Sequence, residues 1–78
     1  MNERVRIQRK GFGGSWLPDG VAWVNVLSKA DHFVIIIQKR IGQAFDYLFT
    51  WRGLSLRVTA CNTDHSNPRY WLLHCEVV

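Results

Sequence analysis

The 78-residue sequence predicts an all-β fold, a small antiparallel meander of five to six strands curled into a barrel or half-barrel. Runs dense in β-branched residues at 21–27 and 32–39 are typical of strands. The stretch LSLRVTA at 54–60 alternates apolar and polar residues, and AFDYLFTW at 44–51 places an aromatic residue at every second position. The length allows a single domain, residues 1–78, and the 47% hydrophobic content supplies its core.

The N-terminal half is predicted to contain three strands. Residues 4–9 form the first, because apolar Val5 and Ile7 alternate there with basic and amide side chains. Residues 10–20 are rich in glycine and contain a Pro-Asp-Gly turn signal, so a loop is expected. The two β-branched runs then form strands joined by a short polar turn.

The segment 44–51 fits either a helix or a strand when it is considered alone. As a helix it would gather its apolar residues on one arc and end at Gly53. The fold would then be α+β, with a helix near 43–52 packed on a four- to five-stranded antiparallel sheet. As a strand it pairs with 54–61 across a turn at Arg52 and Gly53, with apolar residues facing apolar residues on one side. The strand is preferred because it also explains its neighbours.

The predicted register extends from this hairpin to both neighbouring strands. Within the hairpin the core-facing pairs are Trp51 with Leu54, Phe49 with Leu56, Tyr47 with Val58, and Phe45 with Ala60. A turn near 40–43 sets the preceding strand beside the hairpin, with Val34 and Ile36 directed into the core. The last strand, 70–78, pairs on the other side after a polar loop. The four aromatic side chains are therefore expected to fill the core.

Charge and targeting signals limit the class of protein. Ten basic and six acidic residues give a net charge of +4, which favours an acidic partner but is modest for a dedicated nucleic-acid binder. The first ten residues are highly charged, and the longest apolar run, FVIII at 33–37, is far shorter than the roughly 20 residues of a membrane span. We expect a cytoplasmic protein without membrane contact, with both cysteines as free thiols.

No motif in the sequence predicts an enzyme, a metal site or a cofactor. The cysteines and histidines between positions 61 and 75 lack the paired spacing of zinc ligands, and adjacent His74 and Cys75 on a strand point to opposite faces. The GFGGS run at 11–15 lacks the Gly-Lys-Ser/Thr ending of a phosphate-binding loop. The Asp-His-Ser sequence at 64–66 is typical of a polar turn, because a catalytic triad is defined by geometry and not by adjacency.

The reverse face of the predicted sheet is more apolar than a solvated barrel exterior should be. Its predicted partner-binding patch consists of Phe33, Ile35, Ile37, Leu48, Tyr70 and Leu72, with Arg57 and His74 at the rim. Exposed apolar patches with a polar rim mark protein–protein contacts. Either the N-terminal segment with Phe12 and Trp16 covers this patch, or a partner or a second copy of the chain does.

Two functions fit these features. The preferred hypothesis is a stand-alone protein-binding domain that occupies a surface of a larger protein or nucleoprotein partner. Small inhibitors encoded by phages and mobile elements act in this way, although that comparison rests on size alone. The alternative is a small basic nucleic-acid-binding β-barrel. Its contacts to nucleic acid or to another acidic partner would come from Arg4, Arg6, Arg9, Lys10, Lys39 and Arg40.

Overall fold

Six antiparallel strands close into one barrel in a computed structural model that describes residues 1–78. The strands are β1 (Glu3–Lys10), β2 (Trp16–Ser28), β3 (Phe33–Gln38), β4 (Tyr47–Trp51), β5 (Leu54–Thr63) and β6 (Tyr70–Val77). Two short 3-10 turns, Phe12–Gly14 and Ala44–Asp46, are the only helical elements. The all-β prediction is therefore confirmed, and the alternative with a helix near 43–52 is wrong.

The strand order round the barrel is β1-β2-β3-β6-β5-β4, with β4 paired back to β1. The predicted meander placed β3 beside β4, and that neighbour relation is wrong. Instead Ile7 of β1 lies opposite Phe49 of β4, while Ile35 of β3 lies opposite Leu73 of β6. Two three-stranded meanders, β1-β2-β3 and β4-β5-β6, are thus joined along both edges. Closure leaves no strand edge free for pairing with another chain.

The connection between β3 and β4 crosses one end of the barrel, because these strands lie on opposite sides of it. Ala44 is buried under this crossing, and the Tyr47 hydroxyl donates a hydrogen bond to the carbonyl oxygen of Ile41. The guanidinium of Arg40 binds the Asp19 carboxylate of β2 at 3.0 Å. These contacts fix the connection as a cover over that end.

The β4–β5 hairpin has the predicted register. Phe49 lies opposite Leu56, and Trp51 opposite Leu54. The two turn residues Arg52 and Gly53 have φ of 49° and 79°, the left-handed pair that two-residue hairpin turns require. At the other end, the prediction fails for Phe45, which is 52% exposed. The 3-10 turn at 44–46 interrupts the alternation and buries Ala44 instead.

The inward face of β3 is the opposite of the predicted one. Ile35 and Ile37 are 0% and 2% exposed within the core cluster, and Phe33 packs against that cluster. Val34 and Ile36 alternate with them and lie outside the core cluster, although Val34 is itself only 4% exposed. The run FVIII is apolar at every position, so it carries no alternation of its own. The predicted inward face of β3 followed from an assumed pairing with β4, and β3 does not pair with β4.

Residues 16–20, predicted as loop, belong to β2. The strand bulges at Asp19 and Gly20, which together lie opposite the single residue Ile7, since the register with β1 shifts between Arg6 and Gln8. Gly20 has φ of 93°, which fits the glycine position of a β-bulge. The Pro-Asp-Gly signal therefore marks a bulge within a long strand, and the β1–β2 hairpin extends to a tip at residues 11–15.

We expect Phe49→Ala to lower the free energy of unfolding by about 3–5 kcal/mol, because it empties the centre of the barrel. Phe49 is 0% exposed there. Phe45→Ala, in the same segment, is the control and should change stability by no more than about 0.5 kcal/mol. Urea denaturation followed by circular dichroism measures both values. Equal losses in the two variants would contradict the observed inward face of β4.

Candidate functional site

The outer row of β1 is basic. Val5 and Ile7 are buried, so Arg4 and Arg6 point away from the barrel and are exposed. The alternation of side chains along a strand makes this unavoidable once the apolar residues face the core. Pairing of β1 with β2 on one side and β4 on the other places this row in the middle of a three-strand surface.

The outer row of β2 places aromatic side chains beside these basic ones. Trp23 lies directly opposite Arg4, and Trp16 directly opposite Lys10. Trp23 is 61% exposed, and the Lys10 ammonium lies 6.0 Å from the centre of the Trp16 ring. We call this surface the ribbon face; it consists of Arg4, Arg6, Gln8 and Lys10 on β1 and Trp16, Pro18, Val21 and Trp23 on β2.

Unpaired positive charge is concentrated on β1. Three basic side chains have a carboxylate partner: Arg40 with Asp19, Arg52 with Glu3, and Arg57 with Glu76. The basic side chains without one are Arg4, Arg6, Arg9, Lys10, Lys29, Lys39 and Arg69. The four on β1 follow one strand, so their potentials add along a single track.

A shallow depression adjoins this track on its β4 side. Arg4, Arg6 and Arg52 line it together with Val21 and Thr50. Arg52 is held by the Glu3 carboxylate at 3.2 Å, whereas Arg4 and Arg6 have no such restraint. The depression therefore offers two free guanidinium groups, the side chains best suited to bind phosphate in a bidentate manner.

The six predicted nucleic-acid contacts do not all meet in one place. Arg4, Arg6, Arg9 and Lys10 share β1, whereas Lys39 and Arg40 lie in the connection over the barrel end. Arg9 borders both regions, since it lines one depression with Lys39 and another with Phe12. Trp16 was, with Tyr70, a candidate stacking residue from the sequence, but Trp23 was not predicted to stack. The alternation of β2 could have indicated Trp23, but its position beside β1 depends on a pairing that the sequence does not mark.

The three central residues of the predicted apolar patch do not lie on the outer surface of the barrel. Phe33, Ile35 and Ile37 face the barrel interior, so their assignment to an outer patch is wrong. Phe33 packs edge-on against Trp51, with ring centres 5.4 Å apart. The other predicted members do lie on the outer side, where Arg57 is exposed and Leu48, Tyr70, Leu72 and His74 are half-buried. Neither Phe12 nor Trp16 covers them, because both belong to the β1–β2 hairpin.

A chain of polar side chains joins the β2–β3 turn to β6 on the side of the barrel opposite β1. His32 donates through Nδ1 to the Asp31 carboxylate at 2.7 Å, and this hydrogen bond is the main reason that the pKa of Asp31 is lowered. His32 Nε2 lies 3.1 Å from His74 Nδ1, so one of these two ring nitrogens donates a hydrogen bond to the other. Asn62 lies 3.5 Å beyond. The chain is fully paired, and nowhere do three or more metal-ligating side chains come together.

The two cysteines are free thiols on the inner side of the barrel wall. Burial raises the pKa of Cys75 to about 12, and burial also raises the pKa of half-buried Cys61. A β-bulge between Val58 and Ala60 brings Cys61 against the core. Neither thiol therefore has the lowered pKa that a nucleophilic cysteine needs.

Comparisons with protein-family models, with curated proteins and with solved structures find no match to this chain. Its helical elements are three-residue turns, and no helix is long and apolar enough to cross a membrane. The fold and the residues of the ribbon face are therefore the features of this protein that indicate a function.

Thiol reactivity tests the position of Cys75. A pKa of about 12 leaves roughly one thiolate in 10⁵ molecules at pH 7, so we expect no labelling of native Cys75 by a maleimide over hours. Cys61, which is only half-buried, should label slowly, and both should label at once in denaturant. Mass spectrometry counts the adducts. Fast labelling of Cys75 in the native protein would contradict its place in the core.

Proposed function

We propose that the protein binds single-stranded nucleic acid through the ribbon face. The observation that carries the proposal is the direct pairing of an unrestrained arginine, Arg4, with an exposed tryptophan, Trp23, on a surface where Arg6 follows on the same strand. Proteins hold single strands with a basic track for the phosphates and aromatic rings on which the bases stack. The ribbon face has both parts side by side.

Each strand of the hairpin has one role in this proposal. Arg4, Arg6 and Lys10 on β1 bind successive phosphates, because charge on a guanidinium or ammonium attracts them whatever the sequence. Trp23 on β2 stacks an unpaired base, and Trp16 supplies a second, less exposed ring. An aromatic ring on a strand cannot reach the flat face of a base inside a duplex, so a single strand is the better ligand.

The protein-binding hypothesis has less support. Its patch now depends on half-buried Leu48, Tyr70 and Leu72, without the three residues that formed its centre. An inhibitor-like action, a phage or mobile-element origin and a homodimer stay predictions. So does the absence of enzymatic activity.

Salt dependence and charge removal test the phosphate track. With three phosphate contacts from β1, affinity for oligodeoxythymidine should fall about 20-fold between 50 and 200 mM salt. The double variant Arg4→Ala/Arg6→Ala should lose two of these contacts and reduce the slope of log K against log salt by about 1.4. Fluorescence anisotropy with a labelled oligonucleotide measures both.

The matched control for that variant is Lys29→Ala/Arg69→Ala, which removes the same charge from two unpaired basic residues outside β1. It should change the slope by much less than the β1 variant. Equal effects of the two double variants would show non-specific attraction to net charge. No binding at 50 mM salt would disprove the proposal.

Trp23→Ala tests stacking separately from charge. Loss of one stacked base costs about 1–3 kcal/mol, so affinity should fall about 5- to 150-fold with the salt slope unchanged. Leu27→Ala is the control, because Leu27 is also an exposed apolar residue on the outer side of β2, at 44%. Unchanged affinity of the Trp23 variant would remove the base-stacking part of the proposal.

A further inference from the structure

The tip of the β1–β2 hairpin presents the Phe12 ring to solvent. Phe12 has a relative exposure of 107%, so its side chain is fully open to solvent. The tip is nevertheless ordered by backbone hydrogen bonds, from Gly11 N to Ser15 O at 2.8 Å and from Gly14 N to Gly11 O at 3.1 Å. A ring this exposed adds no buried apolar area to the core.

The glycines of the tip make this presentation possible. Gly13 and Gly14 have φ of 79° and 83°, values that other residues adopt only with strain. At Gly11 a Cβ would lie 2.6 Å from the Cδ1 atom of Leu17, so a larger residue there would displace the end of that half-exposed side chain. Leu17 therefore packs against the base of the tip, and the backbone turns sharply while Phe12 points outward.

The tip continues the ribbon face. Lys10 and Trp16 form the last cross-strand pair before it, six residues along β1 from the pair formed by Arg4 and Trp23. At about 3.4 Å per residue, the two pairs are roughly 20 Å apart. Aromatic rings thus follow one another along the hairpin in the order Trp23, Trp16, Phe12; Trp23 and Phe12 are exposed and Trp16 is half-buried.

We propose that Phe12 is the terminal stacking residue of this site, so that a bound single strand extends from Trp23 along β1 and onto the hairpin tip. This inference rests on the proposed function and adds that an oligonucleotide must exceed a minimum length to contact Phe12. A short oligonucleotide occupies only the barrel part of the face, and a longer one also reaches Phe12. Small β-barrels of this kind cover about 4–16 nucleotides, a range that allows both cases.

An anionic lipid surface is the other occupant to consider. Ile41, 93% exposed, lies at the same barrel end, and Arg9 and Lys39 are near it. Insertion into lipid would bury both Phe12 and Ile41, while the basic side chains of Arg9 and Lys39 would bind the anionic headgroups. Stacking of bases would use the aromatic ring of Phe12 alone. The continuity of the tip with the ribbon face favours nucleic acid. The two ligands can be told apart because lipid binding requires Ile41 as well as Phe12, whereas base stacking requires only Phe12.

The experiment measures affinity for oligodeoxythymidines from about 4 to about 12 nucleotides long, in the whole protein and three variants. Phe12→Leu keeps an apolar side chain but removes the ring, Phe12→Trp keeps a ring, and Ile41→Ala is the control at the same barrel end. We expect Phe12→Leu to weaken binding of the longest oligonucleotide about tenfold and to leave the shortest unchanged. Phe12→Trp and Ile41→Ala should match the unaltered protein.

Three results would overturn this inference. The first is that Phe12→Leu binds oligonucleotides of all lengths as well as the unaltered protein does, while Arg4→Ala/Arg6→Ala binds them weakly. The ribbon face would then bind nucleic acid without any contribution from Phe12. The second is equal loss in Phe12→Leu and Ile41→Ala, together with binding to phosphatidylserine vesicles, which would assign the tip to lipid. The third is no oligonucleotide binding at any length, in which case the proposed function fails too.

Discussion

The antiparallel pairing of β1 with β4 is the contact that closes the barrel. It sets Ile7 against Phe49, both fully buried, and joins the two three-stranded halves along their second edge. At one end of the pair, the Glu3 carboxylate accepts a hydrogen bond from Trp51 Nε1 at 2.7 Å and binds Arg52. Without this pairing the apolar side of β1 would face water, and the sheet would have two open edges.

The candidate site is a consequence of that closure. Because Val5 and Ile7 must face the core, Arg4 and Arg6 must face outward, and β2 adds its own outer row beside them. Beyond the bulge at Asp19 and Gly20, β2 continues to pair with β1 as far as Trp16 and Lys10. The same geometry that buries the apolar half of β1 thus concentrates unpaired basic side chains beside tryptophans.

Local patterns predicted the β4–β5 hairpin because its residues alternate strictly and Gly53 fits the turn. The same reasoning failed at β3, where an unbroken apolar run leaves the inward face undetermined. The pairing of β1 with β4 connects residues 38 to 44 positions apart, and no local signal marks such contacts. The ribbon face was missed for a related reason. Its basic residues were recognised, but the pairing of β1 with β2 that sets Trp16 and Trp23 beside them was not predicted, and Trp16 lies within residues expected to form a loop.

The chain's four tryptophans provide the most direct test of the ribbon face. In a ¹H–¹⁵N correlation spectrum, the indole signals of Trp16 and Trp23 report on that face, while those of half-buried Trp51 and buried Trp71 report on the interior. Titration with oligodeoxythymidine should move the Trp16 and Trp23 signals and the amides of β1, and leave Trp71 and the amides of β6 unchanged. Shifts confined to β5 and β6, or no shifts at low salt, would contradict binding at the ribbon face.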